Sequence, residues 1–335
     1  METGRTAIFG AGSWGTSLGI LLARKGVEVA LIDPDPALAA RMESARENSN
    51  FLPGFLFPPT LHVMYDISRA IEGCAAVVMA VPSQVLRAVA GKVPAGAVPG
   101  VDWVVATKGL EEGTGLRMSE VLTEARPGAA VCVLAGPSLA REVVAGQPTT
   151  VLAASDDPIL ASRVRDLFHG PTFRVYTSGD MRGVEIGTSL KNVVALAAGI
   201  LDGMGLGANA KGALLTRGLA EMTRLGVAMG ARRETFLGLA GVGDLVTTCS
   251  SPLSRNRSLG EAIGRGAPVN QAMAAMTQVA EGVPTTRSAV DLGRRLGIEL
   301  PIAEQVARIL FEGVDPREAL RSLMARPPRT EEEAG

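Results

Sequence analysis

The sequence predicts an α/β protein in two parts: a mostly parallel sheet with helices on both faces over residues 1–179, then an all-α domain over 180–326. Three observations carry this. From Arg5 to Ser178, short apolar runs alternate with helix-length segments, the pattern of βαβ units. After Gly179 β-branched runs become scarce and helical patterns take over, in Gly183–Gly199, Ala208–Met229 and Ala289–Gly297. The length of 335 residues suits two domains.

Strands are expected at 5–10, 28–33, 76–81, 102–107, 131–135, 149–154 and 172–177, and helices from near Ser13, Pro36, Pro82 and Pro158. A proline suits the first helical turn, where its missing N–H has no intrahelical partner to lose. The proline-rich, charged stretch ARPPRTEEEAG ends the chain, and 327–335 is expected to fray.

Composition removes several classes of function. Hydrophobic residues at 47% and charged residues at 20% exclude a disordered chain. A net charge of -1 provides no long-range field for nucleic acid, which is not expected as a partner. Cys74, Cys132 and Cys249 are widely spaced, and only His62 and His169 could join them, so neither a disulfide framework nor a metal site is expected. No uninterrupted apolar run approaches the roughly 20 residues of a membrane span, and no export signal precedes the first strand. A cytoplasmic protein without integral membrane contact is the expectation. A homodimer is the expected assembly, although no residue pattern specifies it.

Gly10, Gly12 and Gly15 form a GxGxxG between the strand-like TAIF and the helix-like SLGILLARKG. In that setting the glycines allow a tight turn, close approach of backbone to a pyrophosphate, and helix–strand packing, the fingerprint of a Rossmann-type dinucleotide site. The helix start offers free N–H groups to the phosphates. Asp33 closes the second strand and can accept from a ribose hydroxyl, which favours NAD and leaves NADP possible. The competing role is a helix N-cap, for which Asp35 is also placed.

Only five lysines occur in a chain rich in arginine: Lys25, Lys92, Lys108, Lys191 and Lys211. Arginine stays protonated, whereas a buried lysine can exchange its proton near neutral pH, so Lys191 and Lys108 are candidates for acid–base and carbonyl-polarising work. Asp244, after GVG, could hold such an ammonium and raise its pKa. Thr248 lies one helical turn on, and Asn192 could help stabilise an alkoxide. Ser254, Arg255 and Asn256 offer a hydroxyl, a forked guanidinium and an amide, a set suited to a terminal phosphate. Cys249 lacks a histidine partner and reads as structural.

GAGSWGTSL (10–18), ATKGL (106–110), AGPSLAREV (135–143), SLKNVVALAAGI (189–200) and GLAGVGDLVTTCSSPLSRNRSLG (238–260) together resemble, in order and spacing, the bacterial NAD(P)-dependent glycerol-3-phosphate dehydrogenase family. The resemblance implies reduction of dihydroxyacetone phosphate to sn-glycerol 3-phosphate, a phospholipid precursor. It implies that Lys191 is the proton donor, that Asp244 contacts the glycerol end, and that Arg255 lies between substrate phosphate and cofactor. It further implies cofactor contacts at Ser13, Trp14, Lys108, Val279 and Glu281, and contacts to substrate and cofactor at Gly136, Ser138 and Ala140. Lys108 is also a candidate for the substrate. Two alternatives stand beside this reading: a nicotinamide-dependent dehydrogenase of phosphate-free hydroxy acids, and a non-catalytic dinucleotide-binding redox sensor.

Overall fold

Eight short apolar runs pair into one sheet in the computed structural model of the chain, which describes residues 4–94, 96, 98, 100–328, 330 and 331. The strands are β1 (Arg5–Phe9), β2 (Val29–Ile32), β3 (Leu61–Met64), β4 (Cys74–Met79), β5 (Asp102–Val105), β6 (Ala130–Ala135), β7 (Thr149–Ala154) and β8 (Phe173–Ser178). Their order is β3-β2-β1-β4-β5-β6-β7-β8. Ala7 and Ile8 point to opposite faces and both are fully buried, because helices cover the sheet on both sides. The order reverses between β1 and its neighbour β4, and the glycine turn sits at the carboxyl end of β1, where open α/β sheets bind ligands.

Helices begin at Ser13, Pro36 and Pro158 as expected, the last two with proline in the first turn. Pro82 differs: it precedes a short 3₁₀ turn at Ser83–Val85, and the α-helix starts only at Leu86. β3 was not expected, since LHVM is four residues long and draws its order from pairing with β2. All neighbouring strands run parallel except β6 and β7. The expected strand ends at Gly10 and Asp33 lie just outside β1 and β2. The expected 327–335 tail falls mostly outside the described residues, and Glu331, which is described, pairs with Arg217.

The chain divides into two units, Met1–Thr107 with Met118–Met181, and Lys108–Arg117 with Arg182–Gly335. The expected boundary at 179 therefore misses one exchange: residues 108–117 pack with the helical part. An isolated bridge between Leu110 and Arg117 closes this strap, and Arg117 Nη1 meets Glu185 Oε2 at 2.6 Å with both side chains buried. An ion pair this desolvated holds only when both partners stay in place.

Met181–Gly203 is the core helix of the second unit, and Leu190, Val193, Leu196 and Ile200 on it cluster with Met222, Leu225, Phe236 and Leu259. By length and composition alone it could cross a membrane, with mean hydropathy 1.4 over its most apolar window, although Arg182, Glu185 and Lys191 interrupt the helix, so it is not the uninterrupted apolar run that the sequence argues against. However, 94% of that window is buried against protein. Other helices also depart from expectation: the one predicted at Ala289 starts at Gly282.

Backbone meets backbone where the helix Arg255–Gly264 crosses the core helix. A Cβ at Gly199 would lie 1.9 Å from Arg257 O, and one at Gly260 would lie 2.1 Å from Leu196 O. Gly203 and Gly264 repeat the arrangement one turn along. Gly260→Ala is expected to cost about 1–3 kcal/mol or more by overpacking, and roughly 2–4 °C in melting temperature per kcal/mol. Gly212→Ala, at an exposed helical position with nothing within 4 Å of the added Cβ, should be neutral or stabilising. Thermal unfolding of both variants checks this, and equal shifts would refute the close-packing account.

Candidate active site

The first unit presents the glycine turn. Gly10 has φ +103, and a Cβ there would meet Ala80 O at 2.7 Å, so both conformation and room require glycine. A Cβ on Gly15 would fall 2.0 Å from Gly10 O, which brings the helix Ser13–Arg24 tight onto the turn. At Gly12 the same test meets nothing within 4 Å. No protein packing demands glycine at Gly12, and the open space lies at an uncapped helix N-terminus, as a diphosphate requires. These residues fit a dinucleotide.

Trp14 packs against the core of this unit, and its Nε1 is buried without a protein acceptor. Ser13 Oγ donates to Phe51 O at 2.5 Å. Asp33 is buried just past β2, and its Oδ1 accepts from Asp35 N–H at 2.9 Å. Burial raises its pKa, partly offset by that hydrogen bond. The N-cap role falls to Asp35, which accepts from Ala37 and Leu38, so Asp33 does not cap the helix. Gly136 has φ +138, Ser138 Oγ donates to Gly136 O, and Ala140 O accepts from Ser17 Oγ.

Sequence reasoning missed Asn48. It is fully buried, and its Nδ2 donates to Ala11 O and Thr16 Oγ1, both at 2.8 Å. Its Oδ1 accepts from Phe51 N–H, which ties the 48–51 loop to the glycine turn. In the polar run ENSN nothing local separates Asn48 from Asn50.

In the second unit four predicted residues converge. Lys191, in the middle of the core helix, donates through Nζ to Asp244 Oδ1 and to Thr248 Oγ1, the latter at 2.8 Å. Lys108 Nζ, from the strap, reaches the other carboxylate oxygen, Asp244 Oδ2, at 3.0 Å. Asp244 is only 1% exposed. It opens the helix Asp244–Ser250, delivered by the π-helical turn Leu239–Gly243, and a Cβ at Gly187 on the core helix would come 2.5 Å from Ala240 O in that turn. Burial lowers the Lys191 pKa to about 7; Asp244 opposes the shift and the Lys108 charge adds to it. The amine therefore exchanges protons near neutrality, although Asp244 alone would have raised its pKa.

Beside Lys191, Asn192 Oδ1 accepts from Asn256 Nδ2 at 2.9 Å, and Asn256 Oδ1 accepts from Gly282 N–H at 2.9 Å. Ser254 Oγ caps the helix Arg255–Gly264 by accepting from Arg257 N–H. Arg255 is exposed, and its Nη1 donates to Gln278 Oε1 at 3.2 Å. Val279 is half exposed, and Glu281 immediately precedes the helix Gly282–Leu296. The remaining chemistry-bearing residues have local roles. His62 pairs with Glu43, His169 accepts from Val175 N–H, and burial pushes the Cys249 thiol up to about 12, out of nucleophilic range.

Residues 5–161 match the N-terminal part, and residues 180–321 the C-terminal part, of the NAD-dependent glycerol-3-phosphate dehydrogenase family. The chain belongs to this family. It is 48% identical to the glycerol-3-phosphate dehydrogenase [NAD(P)+] of Anaeromyxobacter dehalogenans over 330 residues, covering 98% of this chain and 99% of the relative. Identity to the enzyme of the same name from Geobacter sulfurreducens is 49%, with 98% of each chain covered. The crystal structure of glycerol-3-phosphate dehydrogenase from Coxiella burnetii superposes with a TM-score of 0.93 at 40% identity, covering 97% of this chain and 99% of that one. D-mandelate dehydrogenase with NADH and anilino(oxo)acetate reaches a TM-score of 0.62 at 13% identity over 96% of this chain and 100% of its own, a likeness of fold alone.

Proposed function

We propose that this chain reduces dihydroxyacetone phosphate to sn-glycerol 3-phosphate with a nicotinamide cofactor, and that Lys191 supplies the proton. The observation that carries the reading is the buried Lys191 amine, bonded to Asp244 and Thr248, with Lys108 on the second carboxylate oxygen. The bound cofactor supplies the hydride. Lys191 gives its proton to the ketone oxygen as an alkoxide develops there, and Lys108 and Asn192 stabilise that charge. Asp244 keeps both ammonium groups in place. Arg255 and Asn256 anchor the phosphate, so binding remote from the reacting carbon fixes the approach of the carbonyl.

At the cofactor's adenosine end, Gly10, Gly12, Ser13, Trp14 and Gly15 hold the phosphates and Asp33 accepts from a ribose hydroxyl. Gly136, Ser138, Ala140, Lys108, Val279 and Glu281 complete the contacts on this reading. The product feeds phospholipid synthesis. A homodimer in the cytoplasm, without integral membrane contact, is the setting we propose.

Dihydroxyacetone phosphate should be turned over far faster than dihydroxyacetone, because charge-assisted bonds to the phosphate have no other partner. Equal kcat/KM on the two compounds would refute the phosphate anchor and favour the hydroxy-acid alternative.

For Lys191 the sign follows from its role. Reduction needs the protonated amine, so kcat/KM for reduction should fall as pH rises through about 7, whereas oxidation needs the neutral amine and should rise through the same range. Lys191→Met should lower turnover by on the order of 10²-fold or more with cofactor affinity nearly unchanged. Near-native turnover in the variant would move the role to Lys108.

NADH is expected to be preferred, with NADPH usable, because Asp33 repels a 2′-phosphate. Two unit charges at about 4 Å interact by about 4 kcal/mol at an effective dielectric of 20; solvent reduces this to about 1–2 kcal/mol, roughly tenfold in kcat/KM. Asp33→Ala should shift the ratio toward NADPH. A native preference for NADPH, or an unshifted ratio in the variant, would remove Asp33 from cofactor selection.

A further inference from the structure

The strap 108–117 is tied to the core helix by two side chains one turn apart. Glu185 binds Arg117 at one end of the strap. Ser189, four residues later on the helix, binds the other end. Its Oγ accepts from Gly109 N–H at 3.0 Å and donates to Gly109 C=O at 3.1 Å, so one hydroxyl pairs both polar backbone groups of the residue next to Lys108. Ser189 and Gly109 are both buried, and buried backbone groups require such partners. Gly109 has φ +138, a conformation that side chains disfavour, so the direction of this peptide is set by glycine geometry and by the Ser189 hydroxyl together.

The rest of the strap has other anchors. Leu110 bridges Arg117, Ser288 Oγ donates to Glu111 O at 3.4 Å, and Arg295 Nη2 donates to Thr114 O at 3.0 Å. Loss of the Ser189 hydroxyl would therefore unpin the Gly109 peptide, and with it the backbone that carries Lys108, while the remainder stays attached. We propose that Ser189 is a positioning residue for the reaction: through the Gly109 peptide it holds the Lys108 ammonium against Asp244, beside Lys191. Ser189 touches neither substrate nor cofactor in this scheme and acts only through Lys108.

The charged groups facing Lys191 are Asp244, from the helix Asp244–Ser250, and Lys108, from the strap. Cys249 on the same short helix stays neutral, and Thr248 carries no charge. When Lys108 withdraws, Lys191 loses a repelling cation and keeps its carboxylate, so its protonated form is favoured. The pH consequence rests on Lys191 being the proton donor, whereas the coupling between Ser189 and Lys108 does not.

The experiment is a double-mutant cycle of Ser189→Ala and Lys108→Met, with kcat/KM for dihydroxyacetone phosphate followed across pH and with melting curves showing each variant folded. Ser189→Ala alone should lower kcat/KM about tenfold and move the alkaline limb of reduction upward by about half a unit or more. In the Lys108→Met background, Ser189→Ala should change kcat/KM by less than about twofold, because its effect passes through Lys108. A full tenfold loss in both backgrounds, or native kinetics in Ser189→Ala, overturns the proposal. A native enzyme without an alkaline limb would instead refute Lys191 as donor, and the cycle would still decide the role of Ser189.

Discussion

A carboxylate that is 1% exposed needs partners for both of its oxygens, and Asp244 has a lysine on each. The helical unit is organised around that requirement. Lys191 comes from the middle of the core helix, Lys108 from a strap far away in the chain, and Asp244 from a turn pressed against Gly187. Taking away Asp244 would leave two ammonium groups beside each other without a counter-charge, which is far costlier than the pairing is stabilising. The group also carries one more positive charge than negative. This excess, together with burial, lets Lys191 titrate near neutrality while a carboxylate touches it.

Much of this was legible in the residues because it depends on local pattern. The glycine turn followed from its place between a strand and a helix, and the lysine pair from the rarity of lysine among arginines. What escaped depends on contacts remote in sequence. The strap's membership in the helical unit comes from Arg117 meeting Glu185 across 68 residues, a pairing with no local signal. The antiparallel step between β6 and β7 was hidden because an apolar run carries no direction, and β3 because four residues make too short a period. Asn48 is an ordinary loop asparagine until the fold buries it.

The sign of the Lys191 shift teaches the same lesson. Reading Asp244 as its partner gave an upward pull opposing desolvation, and both the partner and its upward pull are there. The net direction is set instead by how completely the amine is removed from water and by the second ammonium, and both depend on tertiary structure. Asp33 is the reverse case. Its competitor for the capping role was visible in the sequence, and the structure assigns the cap to Asp35, leaving Asp33 with a single backbone hydrogen bond on one oxygen.

The glycine contacts between the core helix and the helix Arg255–Gly264 have a consequence for substrate length. Lys191 and Asn192 ride on one of these helices, Arg255 and Asn256 on the other, and the Asn192–Asn256 bond spans them. With backbones touching at Gly199, Gly203, Gly260 and Gly264, neither helix can slide along the other to admit a longer molecule. On the function proposed above, the pair works as a fixed caliper, with Lys191 on one jaw and Arg255 and Asn256 on the other. On that proposal, a ketone carried one carbon further from its phosphate would have to buckle to reach both jaws, and chain length would be measured by the frame rather than by a side chain that could be exchanged.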